Sequence, residues 1–234
     1  MAQTLNRMDN ELLKACKNGD MRLLIEILRY DEVNPNTVNE DGKTPLILSC
    51  EEGYEEIVKV LLNNEKVKIN KKDFYGYSAL MWSLEFDHLN IVKILLKNSK
   101  LKVNNRDEYS FTALMWAADL GRPQILQELL KHEKINVNKK DSDGNTALIW
   151  GTDRGQDECV KILIMDPRCN VNIQNKAGLT ALHCASEQGY NKIIRYLLSV
   201  PGIIKTIKDR EGLTPVKRAK KNGFNDIVDI FLSK

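Results

Sequence analysis

The segment GLTALHCASEQGYNKIIRYLL, residues 178–198, contains the pattern that decides the fold. It joins a short apolar stretch, a glycine at Gly189 and a longer amphipathic stretch, and this arrangement returns along the whole chain. Its hydroxyl residue, Thr180, has counterparts at intervals of 34 residues: Thr44, Ser78, Thr112, Thr146 and Thr214. A fixed period of this length indicates a repeat architecture.

A second marker lies nine residues after each hydroxyl, where a glycine recurs and Asp87 replaces it once. The glycines are Gly53, Gly121, Gly155, Gly189 and Gly223. One period before Gly53 stands Gly19, so residues 10–28 form a first unit that lacks the usual lead-in. The pattern predicts seven units with approximate bounds 1–34 (an N-terminal cap), 35–68, 69–102, 103–136, 137–170, 171–204 and 205–234 (a C-terminal cap).

Each unit is predicted to form two helices joined by a left-handed glycine turn. Pro45, Pro123 and Pro215 fall in the first turn of such helices, where a missing N–H group costs little. The polar stretch VNKKDSDGN, residues 137–145, predicts a turn between extended strands that leads into the next unit.

A period of 34 residues with paired helices also occurs in tetratricopeptide repeats, but those have no turn leading into the first helix. The lead-in D-x-x-G-x-T-A-L, and Thr180-Ala-Leu-His183 above all, resembles the T-P-L-H signature of the ankyrin family. The resemblance covers the whole chain. It implies an all-α repeat solenoid, curved and built from stacked helix-turn-helix units with β-turn or hairpin fingers, as a single domain over residues 1–234.

Two further columns of residues are expected to hold the stack together. The apolar pairs Ile57/Leu61, Ile91/Leu95 and Ile125/Leu129 should form a continuous core. An asparagine recurs eight residues before the hydroxyl, at Asn70, Asn104, Asn138 and Asn172, where its amide can satisfy backbone groups of the turn. The resemblance also implies asparaginyl hydroxylation at Asn70, Asn104 and Asn138 as an alternative role.

Composition and charge give few indications of the partner. The 35 basic and 32 acidic residues leave a net charge of +3, too small to favour nucleic acid or a membrane surface. The five cysteines are scattered without metal-like spacing, so we expect no metal and a reducing cytoplasm, with the nucleus as an alternative. The end units have polar outer faces, so a monomer is expected.

No catalytic function or cofactor is predicted. The sequence contains no dinucleotide-binding, P-loop, metalloprotease or hydrolase motif, and the three histidines are scattered. The resemblance implies that His183 bonds its own threonine and the adjoining turn. The repeats also occupy the whole sequence, which leaves no second domain for chemistry.

The resemblance implies that a protein or peptide partner meets the turn tips and the exposed side of the first helices. On that surface the middle units carry aromatic residues and nearly every unit carries acids, with nine acids against Lys43 and Arg154. A basic or amphipathic peptide is therefore the expected partner. The candidate binding residues are Phe74, Tyr75, Tyr77, Trp82, Glu85, Phe86, Tyr109, Phe111, Trp116, Asp119, Trp150 and Asp153.

A more specific alternative arises because tryptophans recur one period apart. Tyr77, Trp82, Glu85 and Trp116 resemble the methyl-lysine cage of the ankyrin domains in certain histone methyltransferases, and Phe111, Trp116, Asp119 and Trp150 repeat the pattern. Aromatic rings with a nearby acid attract a methylated ammonium. Tryptophan at this position also serves as ordinary packing in the family. A third alternative is an inhibitory module that covers the active site of an enzyme.

Overall fold

The structure, a computed structural model, describes residues 2–232, with side chains from residue 7 onward. In this part of the chain the secondary structure is helical, with fourteen helices and no strand. The extended strands predicted beside the finger turn are therefore not formed among the described residues, although an isolated bridge pairs Lys72 with Ser78. The chain divides into two compact units, Met1–Glu108 and Tyr109–Lys234, which are described separately. The prediction of one domain with seven repeat bounds stays a prediction, whereas the helical repeat fold is confirmed.

The first unit contains three consecutive helix pairs. Alternate helices pack on one another, so α1, α3 and α5 form one layer and α2, α4 and α6 form a second. The helices are α1 Ala2–Asn18, α2 Met21–Ile27, α3 Pro45–Glu51, α4 Glu55–Asn63, α5 Ala79–Glu85 and α6 Leu89–Leu96.

The second unit contains four pairs with the same two-layer packing, since α7, α9, α11 and α13 follow one another and α8, α10, α12 and α14 do likewise. The helices are α7 Ala113–Asp119, α8 Pro123–Lys131, α9 Ala147–Asp153, α10 Asp157–Met165, α11 Ala181–Gln188, α12 Asn191–Leu198, α13 Pro215–Lys221 and α14 Asn225–Leu232.

The recurring hydroxyl residue is the N-cap of the first helix in a pair. Its side chain accepts the backbone N–H three residues later, as Thr44 does from Ile47 and Thr146 from Ile149. This bond satisfies one of the donors that a helix leaves unpaired at its start. Thr214 departs from the pattern, because it occupies the N-cap of α13 without a side-chain bond.

The turn between paired helices requires a left-handed residue. Gly53 has φ of +83°, and Asp87, which replaces the glycine one period later, has φ of +60°. The structure therefore confirms that Asp87 occupies the glycine position of the repeat. Aspartate tolerates this conformation better than most side chains do.

The first repeat differs from the others at its start. Helix α1 is 17 residues long, whereas α3 has 7, because it continues through the residues that form a finger turn elsewhere. The missing lead-in predicted from the sequence is thus replaced by additional helix.

The predicted core columns are buried. Ile57, Leu61, Ile91 and Leu95 are at most 2% exposed in the first unit, and Ile125 and Leu129 are fully buried in the second. None of the helices among the described residues is both long enough and apolar enough to cross a membrane.

Candidate protein-interaction surface

Each finger is built around one aspartate or asparagine side chain, and the aspartates are buried. In the first unit, Asp73 accepts the backbone N–H groups of Tyr75 at 3.0 Å and Tyr77 at 2.8 Å through Oδ1. Its second oxygen, Oδ2, accepts the indole N–H of Trp82 at 2.7 Å. One side chain therefore shapes the turn and fixes it to the following helix.

The second unit repeats this construction. Asp141 Oδ1 accepts the N–H groups of Asp143 and Asn145, each at 2.8 Å, and Oδ2 accepts the indole N–H of Trp150 at 2.7 Å. In the last repeat, Asp209 makes the same turn and Arg218 replaces the tryptophan, with Nε at 2.5 Å from Oδ2. Burial alone would raise the pKa of Asp209, but hydrogen bonds from the Leu213 N–H and from Arg218 outweigh it and hold the pKa below its usual value.

This pairing was not predicted, although the sequence contains a signal for it. Where the finger residue is aspartate, the residue nine positions later is a donor, tryptophan or arginine. Where the finger residue is Asn39 or Asn175, the residue nine positions later is Leu48 or Cys184. Neither side chain supplies an N–H donor as tryptophan and arginine do. Asn175 Oδ1 still accepts the N–H groups of Ala177 at 3.0 Å and Leu179 at 2.9 Å, so an amide suffices for the turn itself.

Backbone hydrogen bonds join consecutive finger tips. In the first unit the Phe74 N–H donates to the Asp41 carbonyl at 3.0 Å. In the second unit the Lys176 N–H donates to Asp143 at 2.8 Å and the Arg210 N–H to Ala177 at 3.1 Å. The side chains at the tips are thus presented in a fixed row within each unit.

The tip of the first unit carries exposed aromatic side chains. Phe74 is 67% exposed and Tyr75 56%, and Phe86 at the end of α5 is 50% exposed. Tyr77 and Trp82 are partly buried, and their rings meet edge to face with centroids 5.7 Å apart. The candidate residues of this unit therefore divide into an exposed group and a group that packs the finger against α5.

The second unit shows the same division. Tyr109 is 66% exposed. Phe111 is half-buried, with its ring centroid 4.8 Å from that of Trp150 and 5.8 Å from that of Trp116. The structure thus brings Phe111, Trp116 and Trp150 together as predicted, whereas Trp82 belongs to the other unit.

The ring of Trp82 is covered by a cation of the chain itself. Lys43, only 8% exposed, places Nζ 3.7 Å from the Trp82 ring centroid. The same ammonium donates to both carboxylate oxygens of Glu51, at 2.7 and 2.8 Å. A buried ammonium held between a carboxylate and an indole face is a cation–π contact in a desolvated setting.

Asp119, the acid of the second predicted cage, also has an internal partner. Its Oδ1 accepts Arg154 Nε at 2.7 Å, and this hydrogen bond is the main reason that the pKa of Arg154 lies above its usual value. The guanidinium carbon lies 5.7 Å from the Trp150 ring centroid. Arg154, which belongs to the same repeat as Trp150 and to the repeat after that of Asp119, thus engages both the acid and the ring.

These two ion pairs involve both basic residues of the predicted surface. The remaining acids therefore determine the charge of the face that a partner would meet, and Asp153, one of the predicted contacts, is among them. They are Glu40, Asp41, Glu52, Glu85, Glu108, Asp143 and Asp153.

The histidine of the T-A-L-H motif is a structural residue. His183 is fully buried, with Nδ1 2.9 Å from Thr180 Oγ1 and Nε2 3.1 Å from the Leu213 carbonyl. This confirms the expected bonds to its own threonine and to the adjoining turn. Desolvation lowers the pKa of His183, so the neutral ring is favoured.

The thiols are poorly suited to nucleophilic chemistry. Burial raises the pKa of Cys169 and Cys184 to about 12 and that of Cys159 to about 11. A thiol reacts as its thiolate, which these values keep scarce at neutral pH. Among the described residues, no group of His, Cys, Asp and Glu side chains is arranged to hold a metal ion.

A stack of helix pairs with fixed finger tips defines a repeat scaffold, and comparison with known proteins gives its family. A model of ankyrin repeats matches in three copies, over residues 12–107, 99–175 and 164–234. The chain therefore belongs to the ankyrin repeat family, whose fold is a scaffold for protein–protein interaction.

Solved structures agree with this fold. The crystal structure of the ankyrin repeat domain of Bcl-3, a unique member of the IkappaB protein family, matches with a TM-score of 0.84 and 22% sequence identity. The match covers 94% of this chain and 97% of that chain, and at this identity it shows a likeness of fold. A comparison with curated protein sequences gives no match.

Proposed function

We propose that the chain is a non-catalytic adaptor that binds a basic or amphipathic segment of a partner protein along its finger tips. The observation that carries the proposal is the exposure of Phe74, Tyr75 and Tyr109 at finger tips that also bear acids. Large aromatic side chains gain most from burial at an interface, and each of these three is more than half exposed.

Charge supports the basic character of the partner. Glu40 and Asp41 precede Phe74 by one repeat, and Glu108 is adjacent to Tyr109, and these acids are exposed. Opposite charges across an interface accelerate association and exclude wrong partners. A segment with lysine or arginine around apolar residues therefore complements both features of the tips.

The same reasoning separates contact residues from packing residues. Tyr77 and Phe111 contact tryptophan rings inside the fold, so replacing them would change finger packing as well as binding. Phe74, Tyr75 and Tyr109 are the residues whose replacement tests binding with the least disturbance of the fold.

The test is affinity purification with mass spectrometry on the wild type and on a Phe74→Ala, Tyr75→Ala, Tyr109→Ala variant. The control carries Tyr30→Ala, Met165→Ala and Ile204→Ala, three apolar side chains outside the fingers that are also largely exposed. We expect partners to be lost from the finger variant and retained by the control. Equal capture by both variants would exclude the finger tips as the interface.

The proposal includes a monomer, without cofactor, in the cytoplasm or nucleus. The cysteines Cys16, Cys50, Cys159, Cys169 and Cys184 are free thiols, as expected in a reducing compartment. The similarity to Bcl-3, a member of the IkappaB family, supports a protein partner. It is equally compatible with a module that covers an enzyme, and an activity assay on the captured partner distinguishes the two.

A methyl-lysine reader is the second candidate function. The observation in its favour is the cluster of Phe111, Trp116 and Trp150 rings within the second unit. Two contacts argue against this function: Arg154 is paired with Asp119, and Lys43 covers the Trp82 ring. An incoming ammonium would have to displace a cation that already has a carboxylate partner.

A further inference from the structure

The loop between α4 and the finger of Asp73 lines an open recess of about 660 Å³. Its walls are residues 65–71, together with Lys100 from the equivalent loop one repeat later. All of these residues belong to the first unit, and none of them is a candidate residue of the finger tips.

The recess is strongly basic. It is lined by Lys66, Lys68, Lys71 and Lys100, and Glu65 is the one acid of the lining. Lys71 donates to the Asn36 carbonyl at 2.8 Å. The ammonium groups of Lys68 and Lys100 are exposed and have no ion-pair partner among residues 7–232.

The backbone that carries these lysines is held in place by asparagine side chains. The Asn36 amide donates to the Lys66 carbonyl at 2.8 Å and accepts the Lys68 N–H at 2.6 Å. Asn70 bonds the next loop in the same way, at 2.7 Å to the Lys100 carbonyl and 2.7 Å to the Lys102 N–H. A ligand therefore meets a loop that is already ordered, which lowers the entropic cost of binding.

One acid of the chain already shows how a carboxylate approaches this loop. Asp31 places Oδ1 3.5 Å from Lys66 Nζ, and its backbone carbonyl accepts the same ammonium at 3.1 Å. Asp31 is fully exposed at its side chain, so the pair is weak and can be exchanged for a stronger partner.

The lining of the recess distinguishes among anionic ligands. It contains no aromatic side chain on which a nucleic-acid base could stack. Val67 and Ile69, between the lysines, are only 9% and 4% exposed, so they offer a ligand little apolar surface. Asp31 satisfies the Lys66 ammonium with a carboxylate and a backbone carbonyl together, and an acidic peptide offers the same two acceptors. The chemistry that fits is an acidic peptide.

We propose that this recess is a second binding site, for an acidic peptide segment. Lys68 and Lys100 contact the acids of that segment. The adaptor then has two surfaces of opposite charge preference, one at the finger tips and one at the loops.

The test measures fluorescence anisotropy of a labelled peptide of Glu-Glu-Leu triplets on the full chain. A Lys68→Glu, Lys100→Glu variant should lose about tenfold or more in affinity, because two attractive charges become repulsive. The matched control is Lys93→Glu, Lys161→Glu, which changes the net charge equally at two exposed lysines on α6 and α10. We expect the control to bind like the wild type, and circular dichroism checks that both variants are folded.

Two further probes complete the experiment. A Glu-Glu-Ser peptide should bind as well as the Glu-Glu-Leu peptide, because the buried Val67 and Ile69 offer little apolar surface to a ligand. Equal loss in both double variants, or equal affinity for a single-stranded oligonucleotide, would overturn the proposal in favour of non-specific attraction of polyanions. The Phe74, Tyr75, Tyr109 variant should still bind the acidic peptide, so failure of one surface is distinguishable from failure of the other.

Discussion

Trp150 donates its indole N–H to Asp141 across 2.7 Å, and that carboxylate in turn holds the finger of the same repeat. Trp150→Phe would keep the ring and remove the donor, leaving a buried carboxylate oxygen with Asn145 Nδ2, a weaker donor at 3.3 Å. We expect a loss of about 1–3 kcal/mol in the free energy of unfolding, measured by urea denaturation.

The double variant Asp141→Asn, Trp150→Phe provides the control. Asn39 and Asn175 show that an amide forms the turn without a donor nine residues later. The double variant should therefore recover most of the stability. If it is as unstable as Trp150→Phe, the loss comes from the packing of the ring and not from the carboxylate.

Gly42 and Gly212 provide a matched pair for measuring the contact between consecutive fingers. Both have positive φ, +79° and +75°, two residues before their hydroxyl. A Cβ at Gly42 would lie 2.6 Å from Phe74 Cδ1 and 2.8 Å from its backbone nitrogen, whereas a Cβ at Gly212 meets nothing within 4 Å. Gly212→Ala should cost roughly 1 kcal/mol, and Gly42→Ala roughly 1–3 kcal/mol more.

Thermal and urea unfolding of both variants measure this difference. The Gly42→Ala variant should also weaken partner capture, since it displaces Phe74 from the tip. Equal destabilisation of the two variants would mean that adjacent fingers do not constrain each other.

His183 should make stability depend on pH. Because its pKa is lowered in the folded state, the unfolded chain binds more protons as the pH falls below the ordinary value of 6.5. The neutral ring therefore makes its full contribution to the free energy of unfolding above pH 6.5, and this contribution decreases progressively as the pH falls below 6.5. Urea midpoints should therefore fall from about pH 7.5 to about 5.5, and His183→Gln should flatten that fall.

Methylation should not improve binding at the tryptophans. Lys43 already covers the Trp82 ring and Arg154 already pairs with Asp119, so matched peptides with unmodified and trimethylated lysine should bind the wild type equally. Isothermal titration of both peptides decides the question. A clear preference for the trimethylated form would establish the reader function and displace the simpler adaptor.

The positions fixed by local chemistry were predictable from the sequence. A hydroxyl that caps a helix and a residue with positive φ each act within one turn of chain, so Thr44 and Gly53 could be assigned from spacing. The asparagine column was predictable in part. Asn70 does satisfy backbone groups, but they belong to the following loop instead of its own turn.

The division of the candidate site into exposed and packed residues could not be predicted from the spacing of residues in the sequence. It depends on which side chain of a neighbouring repeat reaches each ring, as Lys43 reaches Trp82 from the repeat before. Spacing assigns a residue to a place in the repeat, whereas these contacts depend on the residue that happens to occupy the adjoining repeat. The spacing that pairs Asp73 with Trp82 is present in the sequence. However, recurring aspartates are normally read as solvent-exposed side chains, and only the structure shows that these are buried.

The asparagine bonds between loops also bear on how such a chain can change in length. Asn70, Asn138 and Asn172 each donate to the carbonyl 30 residues later and accept the N–H 32 residues later. Duplication or loss of one complete 34-residue period in the gene would leave every asparagine facing an equivalent pair of backbone groups. An insertion of part of a repeat would move one asparagine away from the backbone groups that it bonds. The chain can therefore gain or lose whole repeats while the contacts between its repeats are kept.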